Sequence, residues 1–218
     1  MNFLTAIAAV AFAFPGSTPH DESHNFARSY KAGEKANYTL AMTSSIGGTE
    51  GGVTVDLTLI TTTVGADGAH ILVHMSNQKA TGSVTPETLP ADKNLRMVAH
   101  NMPDHFETSG IDQFELIFML ASSTLGKTVK VGDEVPWSWE GGKTAYSYKV
   151  TTKILEISAE KKTLKALIKG KVIVDGHEFF DVSFTSIFDT SDNNLVESTG
   201  EFASQGKTAA TFKFAKKK

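Results

Sequence analysis

Apolar and polar side chains alternate with a period of two in run after run of this chain, which limits it to strands that bury one face. Tyr38, Leu40 and Met42 alternate with Thr39, Ala41 and Thr43, and Val53, Val55, Leu57 and Leu59 with Thr54, Asp56 and Thr58. Ala69, Ile71, Val73 and Met75 alternate with His70, Leu72 and His74 after the turn Gly65-Ala66-Asp67-Gly68. The pattern returns past residue 143. Tyr146, Tyr148, Val150 and Ile154 share a face, as do Leu164, Ala166, Ile168, Val172 and Val174. Asp175-Gly176 leads into Phe180, Val182, Phe184 and Phe188, and Gln205-Gly206 separates two last strands near 195–202 and 208–214. An Asp-Gly pair between alternating runs is a strong hairpin signal. Short turns between successive strands predict an antiparallel meander.

Residues 77–110 interrupt the alternation with a polar stretch containing Pro86, Pro90 and Pro103, which predicts a long loop. One apolar helix follows over about residues 111–124, with Ser109 as its cap, Asp112 complementing its dipole and Gly126 as its stop. Ile111, Phe114, Ile117, Phe118, Ala121 and Leu125 form one stripe, widened by Leu116 and Leu120. Such a helix is enclosed on most of its circumference. The expected fold is therefore mainly β, an antiparallel meander forming a curved sheet, half-barrel or open barrel wrapped around this helix.

The chain of 218 residues divides unevenly. Residues 3–14 are an apolar run too short for a membrane span, and Ala11-Phe12-Ala13 fits a small-x-small cleavage site ahead of Pro15. Residues 1–13 are expected to be a signal peptide, 14–25 a flexible N-terminal segment, 26–215 one β-rich domain and 216–218 a basic tail. Export implies a secreted or periplasmic bacterial location. The chain contains no cysteine, so disulfides, thiolate metal sites, a cysteine nucleophile and lipidation on cysteine are excluded, and the core alone must hold the fold. A net charge of −3 offers nothing to nucleic acid. Lys31-Ala32-Gly33-Glu34-Lys35 with Tyr38 matches Lys130-Val131-Gly132-Asp133-Glu134 with Trp137 at a spacing of 99 residues. The match raises an internal duplication of about 26–80 and 127–176; the alternative is a common turn recurring before two strands.

Catalytic signatures are sparse. No Gly-x-Ser-x-Gly elbow, His-Glu-x-x-His or Walker sequence occurs, so no catalytic residue is assigned. His20-Asp21-Glu22-Ser23-His24 resembles a metal string but reads as a solvated terminus, and no metal or other cofactor is assigned. His70 and His74 lie four apart on a strand, roughly 13 Å from each other, too far to share an ion. Asp56, Glu178 and Asp181 fall on outward positions and read as solvated. The densest polar cluster is His100, Asp104, His105 and Glu107 in the long loop. Aromatic residues carry more information. Trp137, Trp139, Tyr146 and Tyr148 have the even spacing of one sheet face, and with Phe114, Phe118, Phe180 and Phe184 they would wall an apolar cavity between sheet and helix, or else fill it as core.

A signal peptide, a long meander and one apolar helix resemble the layout of the lipoprotein-carrier half-barrel group. The chain is also similar to bacterial secreted proteins of unknown function whose strands start Gly-acid-x-x-x-aromatic, here Gly33 to Tyr38 and Gly132 to Trp137. The resemblance covers most of residues 26–215 and is one of layout; the carriers hold acyl chains between a concave sheet and several helices, where this chain has one. It implies an exported binding protein that takes a hydrophobic small molecule or lipid, or an envelope protein partner. Two other classes stay open: an envelope hydrolase using the loop at 100–107, and a structural or adhesive module without a pocket.

Overall fold

The alternating runs form strands paired almost entirely with their sequence neighbours. The computed structural model describes residues 23–46, 49–66, 68–84, 94–99, 107–108, 113–140 and 146–217. In chain order the elements are β1 (Ser23–Phe26), β2 (Lys35–Ile46), β3 (Thr49–Gly65), β4 (Gly68–Gly82), β5 (Asn94–Ala99), β6 (Glu107–Thr108), α1 (Gln113–Ser122), β7 (Lys127–Lys130), β8 (Glu134–Glu140), β9 (Tyr146–Ser158), β10 (Thr163–Val174), β11 (His177–Asp189), β12 (Leu195–Ser204) and β13 (Lys207–Lys216). Eleven strands make one antiparallel sheet in the order β6-β5-β4-β3-β2-β13-β12-β11-β10-β9-β8, while β1 and β7 form a separate ribbon. Two meanders, β2 to β6 and β8 to β13, thus join where β2 pairs β13. The sheet is not closed; β6 and β8 are its edges.

The register carries one apolar face across the strands. Leu57 pairs Tyr38, Leu40 pairs Phe214, Phe212 pairs Gly200, and Gly200 pairs Phe184. The row continues from Phe184 to Ile168 and on to Thr152. Nearly all these side chains are buried, and Lys, Glu, Asp and Thr alternate with them on the opposite face. A one-residue slip would turn that apolar set to water, so alternation fixes pairing as well as strand identity. The Asp175-Gly176 connection is the hairpin its sequence predicts: Val174 pairs His177, and both turn residues have positive φ (49° and 79°), the type I′ geometry.

α1 packs on the apolar face. Ile117, Leu120 and Ala121 are fully buried, and the Phe118 ring sits 5.5 Å from Phe214 and 6.4 Å from Tyr38. The helix ends at Ser122, two residues before the expected 124. Ser123 and Thr124 lie beyond it, still buried, and Gly126 in the left-handed region (φ 63°) hands its N–H to the Phe26 carbonyl. Residues 109 and 111–112, assigned to its start, lie outside the described residues.

Three other expectations are corrected. The stretch 77–110 is not one loop: β4 runs to Gly82, and β5 and β6 extend the sheet. Proline content and weak alternation hid strands whose pairing comes from the neighbour rather than from their own pattern. Residues 23–25 belong to β1, paired with β7, rather than to a flexible segment, because the ribbon buries Phe26 and Val129 completely. Two of the three tail lysines are engaged: Lys216 ends β13 and Lys217 donates to Asp56 at 2.6 Å, while Lys218 lies outside the described residues.

The two Lys-x-Gly-acid turns have the same geometry. Gly33 and Gly132 have φ of 82° and 93° and donate N–H to the Thr61 and Ile154 carbonyls at 2.7 and 2.8 Å. Thr61 and Ile154 return an N–H to Glu34 and Asp133, each at 2.9 Å. The acidic side chain of each turn accepts from the backbone N–H of its own lysine. Each turn therefore locks the strand after it to the strand beyond, β2 to β3 and β8 to β9.

Candidate ligand-binding face

At the end of the apolar face near the 174–177 and 204–207 turns, burial becomes incomplete. Met42, Val53, Ala210, Phe180, Val174, Trp137 and Trp139 are only partly buried, although they pack on the core. Aromatic rings dominate this end. Tyr148, buried on β9, stacks on Trp139 at 5.5 Å and meets Trp137 edge-on at 5.2 Å. Trp137 donates its indole N–H to the Thr152 hydroxyl at 2.9 Å, so its polar atom is satisfied inside the sheet and its ring edge is fixed. A second cluster runs from Phe180 through Phe202 to Phe184 and Phe212, with centroids 4.9 to 5.8 Å apart. Phe118, Tyr38 and Phe214 form a third cluster under the helix.

Of the residues singled out from sequence, Trp137, Trp139 and Tyr148 come together, Phe180 and Phe184 belong to the second cluster, and Phe118 to the third. Phe114 and Tyr146 lie in α1 and β9, and their side chains fall outside the described residues. Phe184, Tyr148 and Phe118 are core, each at most 4% exposed. Trp137, Trp139 and Phe180 are only partly buried. Phe202 and Phe212 complete the second cluster; a two-residue spacing from Gly200 on β12 and from Phe214 on β13 was the available signal.

A polar cluster that sequence reasoning missed lies at the opposite end, where β1 meets the β11–β12 loop. Arg28, 5% exposed, donates to Glu34 at 3.2 Å and covers the Tyr30 ring at 4.3 Å. Asn194 donates to Glu34 and to Asp192. Asn193 donates to the Asn25 and Ala27 carbonyls at 3.0 and 2.8 Å, and its amide oxygen meets His24 Nε2 at 2.7 Å. Burial raises the Tyr30 hydroxyl above its ordinary pKa against the opposing pull of Arg28, and burial pushes Tyr38 up to about 12. Asn193 and Asn194 stand 160 or more positions from His24, Asn25, Ala27 and Glu34, so no motif announces the cluster. The cluster clips the β1 segment to the sheet.

His24, from the N-terminal His-Asp-Glu string, is thus engaged by Asn193; residues 20–22 lie outside the described residues. His70 and His74 alternate with buried Ile71, Val73 and Met75, on the polar face. Asp56 does not stand alone in solvent: hydrogen bonds from Lys217 and then Asn77 hold its carboxyl below the usual range. Glu178 and Asp181 both pair with Lys171 at 3.1 and 2.7 Å. Of the polar loop cluster, Glu107 is in β6, and His100, Asp104 and His105 lie outside the described residues. Among the described residues no group of three metal-ligating side chains assembles, and no helix is long and apolar enough to cross a membrane. The chain matches no protein-family model and no curated protein.

Proposed function

We propose that this chain is an exported, non-enzymatic binding protein whose sheet curves around α1 and holds an apolar ligand, such as an acyl chain, on its aromatic face. One observation carries the reading: Trp137, Trp139 and Phe180 are aromatic rings left only partly buried on the face that carries the core. Rings held by stacking and by the Trp137–Thr152 bond form a preorganised surface, so binding loses little side-chain entropy. Covering about 150 Å², the exposed part of three such rings, gains on the order of 4 kcal/mol before association costs.

The test uses a built-in reporter, since Trp137 and Trp139 are the only two tryptophans. N-phenyl-1-naphthylamine titrated into the full chain is expected to quench tryptophan emission saturably, with displacement by a long-chain fatty acid. Trp139→Ala weakens the interaction about 10-fold, as expected for loss of one aromatic contact of about 1.4 kcal/mol. Non-saturable probe uptake, or equal affinity in Trp139→Ala, overturns the reading.

A further inference from the structure

The opposite, polar face of β8, β9 and β10 has its own concavity, a cleft of about 400 Å³. The paired row Trp137, Val150 and Gly170 crosses it, flanked by Pro136, Ser138, Lys149, Thr151 and Lys169. Register explains the grouping: Ser138 pairs Lys149, which pairs Lys171, and one row along, Thr151 pairs Lys169. Gly170 lets β9 and β10 approach closely here, because a Cβ at that position would overlap the Lys149 carbonyl oxygen and Val150 Cα.

Charge is what distinguishes this cleft. Neighbouring lysines on the same face are neutralised, Lys153 by Glu134 at 2.7 Å and Lys171 by Glu178 and Asp181. Among the described residues Lys149 and Lys169 form no ion pair, and no carboxylate lines the cleft. As diagonal neighbours on adjacent strands their Cα atoms stand about 7–8 Å apart, close enough for both ammonium groups to reach one anion. Two cations flanked by two hydroxyl donors match a dianion with several acceptor oxygens better than a single carboxylate.

We propose that this cleft binds a phosphate group, with Lys149 and Lys169 clasping it and Ser138 and Thr151 donating to its remaining oxygens. Trp137 also borders the cleft, but the lysines and hydroxyls alternate to the face opposite its stacking partner Tyr148. The phosphate comes from a small soluble compound or from a phospholipid headgroup, and the two sources share the chemistry.

The test follows ¹⁵N-labelled full chain by NMR while inorganic phosphate is added at constant ionic strength, and separately measures co-sedimentation with phosphatidylcholine vesicles with and without phosphatidic acid. Saturable shifts of the Ser138, Thr151 and Gly170 amides with soluble phosphate support a soluble ligand. Lysine-dependent sedimentation with phosphatidic acid vesicles, without soluble binding, supports the headgroup. In either case Lys149→Ala with Lys169→Ala weakens binding at least 10-fold, and Lys207→Ala, in a distant hairpin, leaves it unchanged. All three lysines are exposed, so the variants fold. No response to either probe, or a response that survives in the double variant, overturns the proposal. Its failure leaves the tryptophan-quenching result untouched, so the two readings fall separately.

Discussion

Asn193 is the residue through which the β11–β12 loop holds the N-terminal strand, and replacing it tests that account directly. Its side chain makes three contacts, donating to the Asn25 and Ala27 carbonyls and accepting from His24. Each is worth about 1 kcal/mol net, so Asn193→Gly is expected to cost about 3 kcal/mol. The backbone adds a second, separable effect. Asn193 has φ of 54°, which glycine adopts freely and alanine does not, so Asn193→Ala loses roughly 1 kcal/mol more. In a domain of this size the glycine variant should melt about 6–12 °C below the parent and the alanine variant a further 2–4 °C lower. Urea unfolding at pH 7 gives the free energies, and amide exchange at Val129 reports on the β1–β7 ribbon. If β1 detaches as a unit, global unfolding shows only its docking energy and the remainder appears as faster exchange at Val129. A glycine variant within about 1 kcal/mol of the parent, with Val129 exchange unchanged, refutes the clip. Equal stability of the glycine and alanine variants refutes the backbone part alone.

Phe118→Ala removes the ring that joins α1 to Tyr38 and Phe214, and is expected to cost about 3–5 kcal/mol by urea unfolding; a loss below about 1 kcal/mol would mean that the helix is not seated on the sheet. Tyr38 supplies a pH test. Its pKa is raised from 10 to about 12 in the folded chain, chiefly by burial, so the neutral hydroxyl's contribution is complete below pH 10 and is lost as pH rises toward 12. Stability should fall across that window, and Tyr38→Phe, which cannot ionise, should flatten the fall; an unchanged slope would show that Tyr38 titrates as an exposed tyrosine.

How far the sequence reads depends on the range of the interaction. The period-two pattern and the Asp175-Gly176 turn are local, and they announce β10 and β11 with their pairing. The Lys-x-Gly-acid turns are also legible, since a glycine at positive φ and an acid accepting from its own turn are encoded within a few residues. β5 and β6 are not, because their place in the sheet is set by β4 beside them. The cluster around Arg28 is legible least of all: it needs Glu34, Asp192, Asn193 and Asn194 brought together from opposite ends of the domain. For the aromatic face, alternation gives side but not depth. It places Trp139 and Tyr148 together, yet only the sheet order shows that Tyr148 is interior while Trp139 stands on the edge strand.

The edge strand borders both proposed sites. Partly buried apolar side chains are not confined to it, since Phe180, Val174 and Met42 lie on interior strands. Among the described residues β8 has a neighbour on one side only; Trp137 and Trp139 are partly buried on one face, while Ser138 and its pairing partner Lys149 border the cleft on the other. An unpaired edge usually invites another strand, which would obscure both surfaces. Pro136 lies inside β8 and has no N–H to donate, and Glu140 ends the strand with a carboxylate, while Glu134 at its start is paired with Lys153. The same seven residues therefore discourage strand addition and leave open the two chemically opposite faces on which the proposed sites lie.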